Sequence, residues 1–203
     1  MKKLLVLTVL FVSTIVSAQD MKVVKGNFDF LKDQKQINVE FDYSKMTVLK
    51  EKLTEAQYIE ERSKELNEKN KASGSFWEKK WKASKELIWN LKFLELANIV
   101  LSKEDKDLVF QEGIASAKYT LIVGVVWIYP GWDAMMMKQP AKVTTSLKFV
   151  ETNNKSNVVL EISSEDAPGD QWGNNFSNES RIGEGFAKTG KSLSKTILKK
   201  AFK

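Results

Sequence analysis

Tyr119-Thr120-Leu121-Ile122-Val123-Gly124-Val125-Val126-Trp127-Ile128-Tyr129 is the stretch whose reading decides the fold. It is apolar at both parities, the pattern of a central β-strand covered on both faces. Its eleven residues are too few for a membrane-spanning helix, and Pro130-Gly131 closes it as a turn. Downstream, Val143, Thr145, Leu147 and Phe149 alternate with Lys142, Thr144, Ser146 and Lys148. Thr152-Asn153-Asn154-Lys155 then turns the chain, and Val158, Leu160 and Ile162 return it, which predicts a hairpin with one wet face. A loop rich in Asp, Gly and Asn is expected from Ser163 to Asn178.

The last segment predicts an amphipathic helix. Ile182, Phe186, Thr189, Leu193, Ile197 and Ala201 form one stripe, and Lys188, Lys191, Lys195 and Lys199 form another on the far side of the wheel. Gly183, Gly185 and Gly190 each cost roughly 1 kcal/mol relative to Ala within a helix, so they imply either close backbone approach or a late helix start.

Upstream, Ile37, Val39, Phe41 and Tyr43 alternate with polar residues as a half-buried strand. Phe28-Asp29-Phe30 reads either as its hairpin partner or as a packed loop. Thr54-Glu55-Ala56-Gln57 has capping-box spacing and opens a charged helix to about Asn70. Ser75-Phe76-Trp77-Glu78 has the same spacing and opens a long helix to about Leu101. The aromatics of that helix, Trp77, Trp81, Trp89 and Phe93 among them, fit either a sugar-stacking surface or rings packed on a sheet, and their helical spacing favours packing. The expected fold is therefore α/β (α+β): a mixed or mainly antiparallel sheet of about four strands, flanked by a long Trp-rich helix and a C-terminal amphipathic helix.

The N-terminus adds a location. Lys2 and Lys3 precede an apolar run from Leu4 to Val16, and Val16-Ser17-Ala18 ends it before Gln19. This reads as a secretory signal peptide over residues 1–18, cleaved between Ala18 and Gln19, with a single domain over 19–203. A soluble periplasmic or secreted protein is expected, with no membrane span in the mature chain.

Composition narrows the chemistry. The net charge of +6 falls to about +4 without Lys2 and Lys3. Of 32 basic residues only Arg62 and Arg181 are arginine, which argues against a nucleic-acid surface, where the planar guanidinium is favoured. Cys and His are both absent. Triads and dyads built on histidine, His-ligated zinc and haem, disulfides and a lipidated cysteine are thereby excluded. Carboxylate chemistry, a Ser–Lys pair, a lysine Schiff base and hard-cation binding by oxygen ligands survive, and none of them has a local signature. No cofactor or metal is expected.

Two motifs need weighing. Gly185-Phe186-Ala187-Lys188-Thr189-Gly190-Lys191-Ser192 fits the P-loop expression, in which amides and a lysine cradle phosphates. It follows a polar loop, and only eleven residues remain after Ser192, so Gly185, Gly190, Lys191 and Ser192 are read as a coincidental match. Asn175-Phe176-Ser177 and Asn178-Glu179-Ser180 are N-glycosylation triplets, relevant only in a eukaryotic host. In the expected loop, Glu165, Asp166, Asp170 and Trp172 gather oxygen ligands and an aromatic without regular calcium-loop spacing. Trp132, with Met135-Met136-Met137 after it, reads equally as the lining of a groove, as buried packing or as a flexible lid.

The order of these elements, with Phe41-Asp42-Tyr43, Ala117-Lys118-Tyr119-Thr120-Leu121 and the glycine-rich helix from Arg181 to Lys191, resembles uncharacterised exported α/β proteins of this length from Bacteroidetes. That resemblance implies no established activity. More distantly, the chain resembles the small α/β domain of the lipoproteins that activate penicillin-binding proteins. It departs from them in lacking a lipidated cysteine and a long tether, so no functional residue is carried over.

The leading expectation is a non-catalytic binding or accessory protein of the cell envelope, its partner an envelope protein or glycan. Its ligand surface would use Trp132, Asp166, Asp170 and Trp172 on two loops. The alternative is a carboxylate-based hydrolase of glycans using Glu165, Asp166, Asp170 and Glu184, which needs two carboxyl groups facing each other across a cleft.

Overall fold

A computed structural model describes residues 19–134, 137–169 and 177–203. The proposed signal peptide lies outside the described residues.

Among the described residues, ten strands and four α-helices follow one another. Strand β1 (Asp20–Gly26) precedes a 3-10 turn at Asp29–Leu31, then β2 (Gln36–Asp42), β3 (Thr47–Val48) and β4 (Leu53–Thr54). Helices α1 (Glu55–Lys69), α2 (Ser73–Ser84) and α3 (Leu91–Ser102) follow, with a π-helical turn at Lys85–Asn90 joining the last two. The rest comprises β5 (Val109–Glu112), β6 (Tyr119–Tyr129), the small hairpin β7 (Trp132–Ala134) and β8 (Met137–Gln139), β9 (Ala141–Glu151), β10 (Asn154–Gly169) and α4 (Asn178–Ala201).

The architecture is mixed α/β with a mixed sheet and a C-terminal helix. The main sheet has eight strands, not about four, ordered β1-β10-β9-β6-β2-β5, with β3 beside β6 and β4 beside β3. Strands β1, β10, β9 and β6 are antiparallel neighbours, whereas β2 runs parallel to both β5 and β6. The parallel half follows from the three helices between β2 and β5, since parallel neighbours need a long crossover. The extra strands escape sequence reading for a physical reason. Strands β3 and β4 have two residues each, and β1 exposes nearly every side chain, so none of them can carry a period-two apolar signal.

Strand β6 runs over the span its sequence predicts, but the coverage differs from expectation. Leu121, Val123, Val125 and Ile128 are buried under the helices, while Val126 is exposed on the other side. A bulge between Val125 and Trp127 changes which parity faces inward. The run is therefore apolar at both parities because the register switches, and because Trp127 and Tyr129 stack on the open face with ring centroids 6.2 Å apart. Lys52 Nζ lies 4.3 Å from the Trp127 ring centroid, giving that ring a cationic cover in place of a second helical layer.

The other face is sealed. The α4 stripe of Ile182, Phe186, Thr189, Leu193, Ile197 and Ala201 is buried throughout, and Lys188, Lys191, Lys195 and Lys199 are exposed. Close approach explains the glycines: a Cβ at Gly190 would lie 2.2 Å from the Phe93 carbonyl oxygen, and one at Gly185 2.6 Å from Val143. The helix starts early, at Asn178, so the late start is excluded. The match Gly185–Ser192 lies wholly within α4, so its backbone is helical and forms no phosphate-cradling loop.

Helix α1 begins as its sequence predicts, with Thr54 and Gln57 forming a reciprocal capping box. The box expected at Ser75 is absent. Helix α2 starts at Ser73 after Ala72 in the left-handed region (φ 68°), with Asn67 Oδ1 accepting from the Gly74 amide at 2.9 Å. The π-turn inserts extra backbone per turn and rephases the helix, which places both Trp81 and Trp89 in the core despite their spacing of eight. Phe28-Asp29-Phe30 is a packed turn, and Phe30 meets Tyr119 edge-on at 4.7 Å. The loop expected from Ser163 is strand as far as Gly169.

Candidate functional site

A groove of about 320 Å³ opens between α1 and the turn that follows β6. The capping box at Thr54 fixes where α1 begins, and helical spacing then puts Tyr58, Glu61, Arg62 and Glu65 on one face, lining the groove. Pro130, Gly131 and Trp132 form the opposite wall.

Tyr58 is buried on the α1 side of the groove. Its ring meets Trp81 at 5.0 Å and Trp77 at 5.6 Å. Burial pushes its hydroxyl pKa up to about 12, with Arg62 acting in the opposite sense. The phenol is consequently neutral at physiological pH. Trp81 Nε1 donates to Glu55 at 2.8 Å, and Lys85 pairs with the other Glu55 oxygen at 2.7 Å. The Trp-rich helix thus acts as the foundation of the groove and presents no stacking surface of its own from Trp81 or Trp89.

The turn is held from below by a buried arginine. Arg181 Nε donates to the Pro130 carbonyl and Nη2 to the Gly131 carbonyl, each at 3.3 Å, and Nη2 also donates to Asn178 Oδ1. Burial lowers the Arg181 pKa, while Asp133 and Glu179 oppose that shift, so the guanidinium stays charged. Gly131 has φ 66°, and a Cβ there would lie 2.3 Å from the Gln139 carbonyl oxygen, so the turn requires glycine. Gln139 Oε1 accepts from both Tyr129 Oη (3.0 Å) and Trp132 Nε1 (3.1 Å). Trp132 is therefore fixed by its nitrogen while 42% of its surface stays in solvent. Leu49 lines the same groove in the left-handed region (φ 64°), held there because its carbonyl accepts from Trp127 Nε1 at 2.6 Å.

One expected ligand residue, Trp132, is in this groove. Asp166 is not: it lies at a bulge in β10 (φ 51°), with its amide on Thr144 and its carboxylate on Lys142 at 2.7 Å. Asp170 and Trp172 lie outside the described residues, as do Met135, Met136 and Asn175 and Phe176 of the first glycosylation triplet, whose Ser177 caps α4. Asn178, of the second triplet, is the first residue of α4 and lines the groove.

The carboxylates of the hydrolase reading are dispersed where they are described. Glu184 pairs with Lys92 between α3 and α4, Asp166 with Lys142 on the open face of the sheet, and Glu165 accepts from its neighbour Ser163 at 3.1 Å. The sheet separates Glu184 from Asp166, so these two cannot flank one glycosidic bond. Among the described residues, no group of three metal-binding side chains occurs, and no helix is long and apolar enough to cross a membrane.

Sequence reading missed Tyr58, Arg62 and Arg181. The available signal was rarity: both arginines of a lysine-rich chain serve this one groove, where planar, multidentate donors do what an ammonium cannot.

No protein-family model and no curated protein matches the chain. Among solved structures, it is similar to the PelC dodecamer from Paraburkholderia phytofirmans, with TM-score 0.38 and 11% identity over 89% of this chain and 96% of that one. A crystal of a point variant of the same protein gives TM-score 0.37 at the same identity and coverage. Similarity of this size assigns neither role nor assembly to this chain.

Proposed function

We propose that the protein is an exported, non-catalytic binding or accessory protein of the cell envelope, and that the groove beside Trp132 is its binding surface. The observation that carries this reading is the way Trp132 is built. A large ring is left in solvent, yet its nitrogen is tied to Gln139 and its turn to the buried Arg181. Pre-fixed exposed aromatics lose little conformational freedom on association, which is why they serve as anchors in recognition. Export rests on the pattern of Lys2-Lys3, the apolar run to Val16 and Val16-Ser17-Ala18.

Affinity capture from envelope extracts, with wild type beside Trp132→Ala and Trp172→Ala, tests the surface. Partners recovered by wild type should be depleted by Trp132→Ala. Equal recovery would remove the groove from consideration. Mass spectrometry of the N-terminus should find Gln19 first in an envelope or secreted fraction, and an intact Met1 in the cytoplasm would overturn export.

A further inference from the structure

We propose that the groove binds a segment of an uncharged saccharide, with one sugar ring stacked on Trp132 and its hydroxyls held by Arg62 and Glu61. This rests on the binding role proposed above and goes beyond it by assigning the ligand class.

Arg62 is the first reason. One of its terminal nitrogens is committed to Glu65, while its Nε is buried and has no hydrogen-bond acceptor. A buried N–H is almost always paired, and this one belongs to a side chain that lines the groove, so a ligand acceptor that shifts the guanidinium slightly would complete it. Glu61 supplies the complementary need: it lines the groove exposed, and its carboxylate engages no donor among the described residues. The ligand must therefore bring an acceptor for Arg62 and a donor for Glu61, and a sugar hydroxyl is both.

Charge narrows the class further. Glu61 and Glu65 on the α1 face are balanced by Arg62 and by Lys69, which pairs with Glu65 at 2.6 Å, so the wall carries no net charge that would favour an ionic ligand, and an uncharged one suits it. The apolar wall suits a ring. With Trp132 Nε1 held by Gln139, the exposed indole offers only its hydrocarbon and π surface, beside Leu49 and Pro130. A peptide anchor needs a closed apolar socket for its side chain. Here the exposed indole stands opposite a charged helix face, an arrangement that matches a pyranose with one C–H face and a hydroxyl rim. At about 320 Å³ the groove is at the small end of ligand sites, roughly 300–1,000 Å³, and holds a short segment of a longer chain.

Isothermal titration of the processed protein with cellohexaose, laminarihexaose and N-acetylchitohexaose, separately, tests the assignment. Trp132→Ala and Arg62→Lys are titrated alongside, each with its thermal midpoint measured. Lysine keeps a cation for Glu65 but has no counterpart of the Nε donor. Saturable binding of at least one sugar is expected, weakened tenfold or more in both variants at unchanged thermal midpoints. No binding of any of the three at millimolar concentration, or binding that both variants retain, overturns the saccharide assignment. If no sugar binds while envelope proteins are still captured through Trp132, the saccharide falls and the binding role stands.

Discussion

Trp89 and Trp132 are the same residue put to opposite uses. Trp89 is fully buried, stacks on Phe186 with ring planes 13° apart at 5.8 Å, and donates to the Glu179 carbonyl at 2.9 Å. Trp132 makes one side-chain hydrogen bond and keeps 42% of its surface in water. One ring joins the π-turn to α4, and the other stands at a rim that the rest of the molecule works to hold still. The contrast separates residues that make the fold from residues the fold presents, and it predicts different answers to the same substitution.

The largest expected effect is on the buried side. Trp89→Ala removes a fully buried ring and leaves the Glu179 carbonyl without its donor, so we expect a loss of roughly 3–5 kcal/mol in unfolding free energy by urea titration. A loss below about 1 kcal/mol would mean that the π-turn is not part of the cooperative core.

Gly190→Ala should follow closely. Its methyl would sit 2.2 Å from the Phe93 carbonyl oxygen, and backbone cannot yield as a side-chain tip can, so α3 and α4 must separate. We expect at least about 2 kcal/mol of destabilisation, although alanine is the better helix former by about 1 kcal/mol. Urea titration decides it, and a stabilised variant would show that the helix contact is looser than described.

Acid tests the layer between the two tryptophans. Glu179 is buried, and burial alone would raise its pKa; the Ser177 hydroxyl, its own backbone amide and Lys80 outweigh that and hold it below the ordinary 4.5. A carboxyl depressed in the folded state contributes stability that is present above the unfolded pKa and lost as pH falls through the folded value. The thermal midpoint should therefore decline as pH drops below about 4.5. Glu179→Gln should flatten that limb, since the amide does not titrate. Identical acid limbs would assign the loss to other carboxylates.

Most of the layer that makes the fold was legible in sequence, and most of the layer that presents the site was not. Burial stamps a period on a chain: the α4 stripe, the β9–β10 hairpin and the capping box at Thr54 are each local, and each could be read. Strand β1, the two-residue strands and the π-turn leave no such mark, because they depend on neighbours remote in sequence. The groove is of the second kind. Arg62 and Arg181 stand 119 positions apart and meet there only because α1 and the N-terminus of α4 converge on the Pro130-Gly131 turn. Trp132 was legible as an aromatic just past a turn, but Asp166, attractive in sequence among oxygen ligands, is committed to Lys142 on another part of the sheet.

Trp132→Ala should give the smallest stability effect and the sharpest contrast with Trp89→Ala. The ring is substantially exposed, and its removal leaves Gln139 Oε1 still accepting from Tyr129. The turn itself is untouched, since Arg181 holds it through the Pro130 and Gly131 carbonyls. Surface truncations of this type usually fall within about 0.5 kcal/mol, so the urea midpoint should barely move while capture of binding partners is lost. A destabilisation approaching that of Trp89→Ala would show that Trp132 belongs to the fold after all, and its exposure would then carry no functional meaning.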